Sequence, residues 1–261
     1  MTDIRVVISG TGKMGVVIAE AVAAAEGMTP VAFVDGRATV GRLNGLPVFM
    51  DAGLCLADRE PQVVIDFTNA AWTPTLADAA LAANVRMVIG TTGLPNAWVD
   101  ELVGRTKAAK LGTVLAANYA LGAVLMMQFA KTAARWFDAA EIIELHHDQK
   151  VDSPSGTAKT TAELMRSARS TDFSHRDSDK EPLPGARGAE YGGVAIHSVR
   201  LPGFVASQEV IFGGPGQTLT IRHDSTRESY MPGIILATRE VMKLDHMVIG
   251  LEHLLGLTGQ G

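Results

Sequence analysis

The feature that most constrains this chain is a glycine loop set directly behind an apolar run. Ile4–Ser9 reads as a buried strand, and Gly10-Thr11-Gly12-Lys13-Met14-Gly15 follows at once and opens a helix. This is G-x-G-x-x-G in the strand–turn–helix context that a dinucleotide site requires. Gly10 permits the tight turn, Gly12 lets the backbone approach a pyrophosphate, and Gly15 lets the helix pack closely on the strand. The helix start then points its N–H groups at the anion. A ligand-free tight turn would use the same glycines, so a companion residue matters. Asp35 is that companion, about 20 residues on at the end of the second strand, where a carboxylate accepts hydrogen bonds from a ribose diol. Asp35 favours NADH because it repels a 2′-phosphate, whereas Arg37 would pair with that phosphate. The expected cofactor is therefore NADPH, NADH or both.

The first 118 residues alternate between short β-branched runs and longer alanine-rich stretches. Strands are expected at Arg5–Ser9, Pro30–Asp35, Val63–Phe67, Val85–Ile89 and Thr113–Ala116, with helices over Gly15–Ala25, Thr73–Ala83 and Asn96–Lys110. That grammar predicts an α/β fold with a Rossmann-type, doubly wound parallel sheet. In such sheets ligands bind beyond the strand carboxyl ends. Asp66-Phe67-Thr68 and Gly90-Thr91-Thr92-Gly93 lie there, as small hydroxyl-bearing turns beside a nicotinamide or as ordinary turns.

After residue 118 the pattern changes. A helix over Gly122–Phe137 leads to an extended Glu141–His147, a Ser-Pro-Ser-Gly turn and a helix through Lys159–Ser167. A polar loop covers residues 168 to 190. Strands follow at Val194–Arg200, Ser207–Phe212 and Thr218–His223, the last two flanking the hairpin signal Gly213-Gly214-Pro215-Gly216. This half reads as α+β with a mostly antiparallel sheet, and Met231–Leu257 returns to helical periodicity. Two domains are expected: 1–118 plus 228–261 for the dinucleotide, and 119–227 for substrate binding and tetramerisation.

Composition narrows the function. A length of 261 residues with 47% hydrophobic and 20% charged residues suits a folded globular protein, and 5% aromatics suits helices on a parallel sheet better than a sandwich. A net charge of −5 argues against nucleic acid as a partner. The single cysteine, Cys55, excludes an internal disulfide and reads as core packing. The amino terminus lacks the pattern of an export signal. Residues 111–130 are uncharged, yet Asn118, Gln128 and two glycines point to a strand, a loop and a helix start rather than a membrane span. A cytoplasmic protein is expected.

The densest chemistry lies in Glu144-Leu145-His146-His147-Asp148-Gln149-Lys150-Val151-Asp152-Ser153-Pro154-Ser155-Gly156-Thr157-Ala158. If Glu141–Lys150 is extended, His146 and Lys150 share one face and His147 points away. An imidazole and an ammonium together make a cationic floor for a dianionic substrate, and their proximity favours acid–base chemistry. Ser155, Gly156 and Thr157 then sit at a helix start and offer N–H groups and hydroxyls to a carboxylate. The bland alternative is a solvated charged loop before an ordinary capped helix. No metal is expected, because the paired histidines have no third ligand at sensible spacing. His197 and His223 read as structural, and Arg200 and Arg227 as ion-pair formers.

Together these residues resemble the dihydrodipicolinate reductase family. The resemblance runs over nearly the whole chain: Lys13-Met14-Gly15, Ile65-Asp66-Phe67-Thr68, Val88-Ile89-Gly90-Thr91-Thr92-Gly93, the His-His…Lys…Pro-Ser-Gly-Thr segment, Ile196-His197-Ser198-Val199-Arg200 and Leu254-Leu255-Gly256-Leu257. It implies reduction of a cyclic dicarboxylate by NAD(P)H to tetrahydrodipicolinate on the diaminopimelate and lysine route. It also implies a tetramer built through the C-terminal sheets and domains that close over the substrate. By this resemblance His146 and Lys150 match the catalytic pair, with Lys150 the proton donor and His146 its acid–base partner. His147, Lys150, Ser155, Gly156 and Thr157 match the grip on the dicarboxylate. Gly12, Met14, Asp35, Arg37, Gly90, Thr92 and Ala117, Asn118 and Tyr119 match cofactor contacts.

Three positions depart from the family pattern. The glycine loop is one residue shorter, Lys13 replaces an arginine, and Ala116-Ala117-Asn118-Tyr119-Ala120 replaces Ala-Pro-Asn-Phe-Ser. Two alternatives remain open: an NAD(P)-dependent amino-acid or amine dehydrogenase acting on an aspartate- or diaminopentanoate-like substrate, and a non-catalytic nucleotide sensor.

Overall fold

The computed structural model describes residues 3–176 and 178–257. The apolar run ahead of the glycine loop forms β1 (Ile4–Ser9), and α1 (Lys13–Ala24) starts three residues after Gly10, the first glycine of the loop. β2 (Met28–Val34) follows, then a short β3 (Arg42–Leu43), β4 (Leu46–Phe49), and α2 (Ala52–Arg59), capped by Asp51 through the Leu54 N–H. Alternation then continues through β5 (Val63–Asp66), α3 (Thr73–Ala82), β6 (Arg86–Ile89), α4 (Asn96–Ala109) and β7 (Thr113–Leu115). β3, β4 and α2 lie in a stretch whose mixed polar and apolar residues carry no clean period, and sequence reading missed them.

The second half begins with α5 (Leu121–Ala133) and β8 (Ala139–His146), followed by α6 (Gly156–Ser167). Next come β9 (Ala189–Tyr191), β10 (Val194–Arg200), β11 (Ala206–Gly214) and β12 (Gln217–Ser225). The chain closes with α7 (Met231–Glu240), β13 (Met247–Ile249) and α8 (Leu251–Leu254). The helical reading of Met231–Leu257 is corrected here. Helix ends near Lys243, and three residues rich in β-branching pair in parallel with β7, ended by Gly250 at φ +96°.

Two compact units result: Met1–Leu121 with Arg227–Gly261, and Gly122–Thr226. The first is an eight-stranded sheet in the order β13-β7-β6-β5-β1-β2-β4-β3, parallel except for the β3–β4 pair. The order reverses at β1, which has β2 on one side and β5 on the other. Register aligns Ser9 with Val34 and Asp66, then Asp66 with Ile89 and Ile89 with Leu115. Gly10, Asp35, Phe67 and Gly90 therefore leave the sheet along one edge, at the switch point where open α/β sheets bind ligands. Val7, Ile8, Phe33, Val64 and Val88 are fully buried, as strands covered on both faces must be. Cys55 is also fully buried, and burial pushes its thiol up to about 12, so it is packing and not a nucleophile.

The second unit carries five strands in the order β12-β11-β8-β10-β9. β8 and β10 are parallel, and the other neighbours are antiparallel. Pro215 and Gly216 turn the β11–β12 hairpin, closed by the Gly214–Gln217 pair with Gly216 at φ +72°. Along β8 the buried residues are Ala140, Ile142 and Glu144, so one face carries an apolar row interrupted by a single carboxylate.

Candidate active site

In the first unit, the loop after β1 is shaped by its glycines. Gly10 sits at φ +95° and its N–H donates to Val34 O at 2.8 Å. A Cβ on Gly15 would lie 2.0 Å from the Gly10 carbonyl oxygen, so close packing of α1 on the loop excludes any side chain there. A Cβ on Gly12 would meet nothing within 4 Å. Gly12 is also the N-cap of α1 and makes no side-chain cap, so open space adjoins the helix N–H groups. That combination fits a pyrophosphate: donors from the helix start, and no atom in the way. Lys13 is the exposed first residue of α1, and Met14 lines the cavity beside it.

Asp35 is locked in place. Its carboxylate accepts from Thr11 N–H (3.0 Å), Thr11 Oγ1 (2.7 Å) and Arg37 N–H (2.9 Å). Burial pushes its proton affinity up, but these three bonds and the Arg37 charge outweigh it, leaving the carboxyl below its usual range. The cavity beside it has a volume of about 490 Å³. Trp72, which sequence reading overlooked, forms one wall. Its indole donates to Ser9 Oγ at 3.0 Å, and a Cβ on Gly36 would lie 2.6 Å from its ring. Only its place just before α3, on the ligand-binding edge of the sheet, hinted at this. If the cavity takes NAD(P)H, the nucleotide will quench Trp72 fluorescence. Titrating NADH into Trp72→Phe should then lose most of the quenching that Trp98→Phe and Trp136→Phe retain; equal quenching in all three would place the nucleotide elsewhere.

The neighbouring strand ends are held from beneath. Buried Asp66 accepts from the hydroxyls of Thr68 (2.7 Å), Thr91 (3.1 Å) and Thr73. Thr91 Oγ1 also receives Thr68 N–H at 3.1 Å, so this hydroxyl braces two loops while Thr92 is exposed. A Cβ on Gly90 would lie 2.2 Å from the Phe67 ring, which tilts against Tyr119 at 5.1 Å. The glycine at 90 is thus required by Phe67 packing. The Tyr119 side chain needs a correction as a cofactor contact: it is fully buried, and its hydroxyl donates to Ile89 O at 2.9 Å. It supports the strand ends from inside the core. Asn118 caps its own loop by accepting Ala120 N–H at 2.9 Å, and Ala117 is exposed.

The second unit holds the charged cluster. β8 ends at His146 and the chain turns, with Lys150 N–H donating to His147 O at 3.2 Å. The expectation that an extended run to Lys150 puts His146 and Lys150 on one face is therefore corrected: alternation stops four residues early. The turn brings them into electrostatic range instead. Lys150 Nζ pairs with Asp152 Oδ1 at 2.6 Å, and its charge acts on His146. His147 is exposed. His146 touches the Glu144 carboxylate through Nδ1, which leaves Nε2 as the nitrogen available to a ligand. Burial pulls the His146 imidazole below its usual range, with Lys150 and Arg200 adding to that and Glu144 opposing it.

The start of α6 completes the cluster. Ser155 is buried and its Oγ accepts Ala158 N–H at 3.2 Å, so its hydroxyl caps the helix. Exposed Gly156 and half-buried Thr157 present the first helical N–H groups, which have no intrahelical partner. His197 meets the Glu141 carboxylate through Nε2 at 2.9 Å, and Arg200 forms an ion pair with Glu144. His223 packs against Gly122. Sequence reading placed Glu144 in this segment but gave it no role, although it anchors the cluster.

Two family models match the chain: "Dihydrodipicolinate reductase, N-terminus" over residues 4–119 and "Dihydrodipicolinate reductase, C-terminus" over residues 122–255. The 4-hydroxy-tetrahydrodipicolinate reductase of Shouchella clausii (strain KSM-K16) is 46% identical over 96% of this chain and 99% of its own. Among solved structures, the dipicolinate-bound dihydrodipicolinate reductase from Paenisporosarcina sp. TG-14 superposes with a TM-score of 0.89 at 41% identity, covering 97% of this chain and 99% of that one. An amine dehydrogenase from Mycobacterium smegmatis shares the fold alone, with a TM-score of 0.65 at 14% identity over 95% of each chain.

Proposed function

Because the chain belongs to the dihydrodipicolinate reductase family, we propose that its two units divide the family's reaction between them. The enzyme is an NAD(P)H-dependent 4-hydroxy-tetrahydrodipicolinate reductase of diaminopimelate and lysine biosynthesis. The hydroxylated ring loses its hydroxyl as water to give dihydrodipicolinate, which a hydride and a proton then reduce to tetrahydrodipicolinate. This displaces the amine-dehydrogenase and sensor readings; the amine dehydrogenase from Mycobacterium smegmatis shares the fold alone. In our assignment the unit with the glycine loop holds the nucleotide, and the unit Gly122–Thr226 holds the substrate.

The roles follow from chemistry. Bound NAD(P)H supplies the hydride. The N–H groups at the start of α1 hold its pyrophosphate, Asp35 takes the ribose hydroxyls, and the Phe67–Thr68, Gly90–Thr92 and Ala117–Asn118 segments form the nicotinamide end. Gly156 and Thr157 grip one substrate carboxylate with helix N–H groups and the Thr157 hydroxyl. Lys150 and His147 face the other. Hydride addition leaves an electron pair on the ring system that a proton must satisfy. Lys150 delivers that proton, and His146, through Nε2, exchanges it. The observation that carries this reading is the convergence of an oriented imidazole, an ammonium and a helix start within one short segment. The Paenisporosarcina relative binds dipicolinate, a planar diacid of the kind such a segment would hold.

Two finer statements rest on the family. We infer a homotetramer assembled through the sheet of the second unit, whose outer strand β12 keeps Gln217–Thr220 exposed. We infer a cytoplasmic location; among the described residues no helix is long and apolar enough to cross a membrane. The direct test is oxidation of NADH and of NADPH with freshly generated dihydrodipicolinate. Turnover that pyridine-2,6-dicarboxylate inhibits competitively is the expected result. Turnover that is insensitive to this diacid would reject the substrate grip assigned here.

A further inference from the structure

Glu144 is the buried group to which the reaction so far gives no task. It lies in the covered row of β8 with Ala140 and Ile142, fully closed from solvent. A carboxylate in such a row is destabilising unless its oxygens are fully paired, so its partners are informative. Arg200 on β10 donates to both oxygens, at 2.7 Å to Oε1 and 2.9 Å to Oε2. Ser155 N–H reaches Oε1 at 3.3 Å, the Ser198 hydroxyl donates as well, and His146 Nδ1 meets Oε2. Strand register makes this arrangement: Ser198 lies opposite Glu144, and Arg200 lies opposite His146. Burial pushes the Glu144 carboxyl up, but Arg200, Ser198 and His146 outweigh it and hold it ionised.

An ionised carboxylate only accepts hydrogen bonds, so the nitrogen facing it carries the hydrogen. His146 is then the Nδ1–H tautomer in its neutral form, with the Nε2 lone pair outward. The same carboxylate holds the N–H that opens α6, while Arg200 reaches on to Asp152 O at 2.7 Å. One anion therefore ties together the imidazole, the helix start and the segment that pairs with Lys150.

We propose that Glu144 is a positioning residue for the reduction, setting the tautomer and ring orientation of His146 and fixing it relative to the carboxylate-binding start of α6. The proposal deepens, and rests on, the assignment of His146 as acid–base partner. The charged groups acting on His146 are Glu144 on its own strand, Lys150 in the following turn and Arg200 from β10, with Asp152 paired to Lys150. Burial and the two cations favour the neutral ring, and Glu144 alone favours the imidazolium. Removing the carboxylate must therefore lower the proton affinity of His146.

The test uses the full chain in three forms: native, Glu144→Gln and His146→Gln. With dihydrodipicolinate and NADH, Glu144→Gln is expected to lose about 10²-fold in kcat. The limb of its kcat/KM profile that His146→Gln abolishes should move to lower pH. A Glu144→Gln limb that superposes on the native one overturns the proposal. A limb that survives in His146→Gln rejects instead the role given to His146. Should Glu144→Gln fail to fold, long-range proton–nitrogen NMR on the native protein labelled in histidine still decides. An Nδ1–H signal for His146 near neutral pH supports the proposal, and an Nε2–H signal overturns it.

Discussion

Lys150→Ala should lower kcat by about 10²-fold or more, the range lost when a positioned proton donor is removed. The ammonium stands in the turn behind β8, half-buried and 2.6 Å from Asp152 Oδ1, which keeps a flexible side chain from ranging through solvent. It has two tasks in the proposed reaction, as one charge of the dicarboxylate grip and as the source of the proton that completes reduction. Alanine removes both, so KM for the ring should rise as kcat falls. Lys150→Arg separates them. A guanidinium keeps the positive charge but holds its protons permanently, so KM should recover in part while kcat stays low. Steady-state kinetics with NADH saturating read both constants. A Lys150→Ala enzyme with native kcat would remove Lys150 from the proton path, whatever happened to KM.

How far these features were legible in the sequence depended on the range of the interaction that creates them. The glycine loop, Asp35 and the strand–helix alternation were readable because each depends on neighbours within a turn or on one period of burial. The start of α6 was readable for the same reason: Ser155 caps a helix from its own sequence. The shared face of His146 and Lys150 was not, because strand alternation says nothing about where a strand stops, and β8 stops when the chain turns at His147. Tyr119 looked like a ligand contact but spends its hydroxyl on Ile89 O, 30 positions away. The role of Glu144 and the whole of Trp72 went unread for one reason. Their partners, Arg200 and Ser9, lie 56 and 63 residues off, and only tertiary structure brings them together. β13 was lost because three residues among helices cannot announce a strand without their β7 partner.

The Glu144–Arg200 pair also governs stability, and Arg200→Met is the substitution that exposes this. Glu144 is fully buried, and Arg200 supplies both of its strongest bonds, so the variant leaves a buried carboxylate short of its counter-charge. Breaking a buried pair from one side destabilises by about 3–5 kcal/mol, most of it the cost of the stranded charge. The pH dependence follows from the direction in which Glu144 is shifted. In the native protein its carboxyl is held below the ordinary range, so the pair contributes stability above the unfolded-state value and loses it as pH falls through the folded-state value. Without Arg200 burial dominates and the shift reverses. The variant's deficit is then fully expressed at neutral pH and shrinks on acidification, because a protonated, neutral Glu144 needs no cation. Urea unfolding of Arg200→Met at pH 7.5 and pH 5 should show the larger loss at the higher pH. Glu144→Gln combined with Arg200→Met should be less destabilised at pH 7.5 than Arg200→Met alone, since the double change removes the charge together with its partner. A single variant that unfolds like the native protein at pH 7.5 would mean that Ser155, Ser198 and His146 suffice to hold the carboxylate, and the guanidinium would then serve chiefly to anchor Asp152.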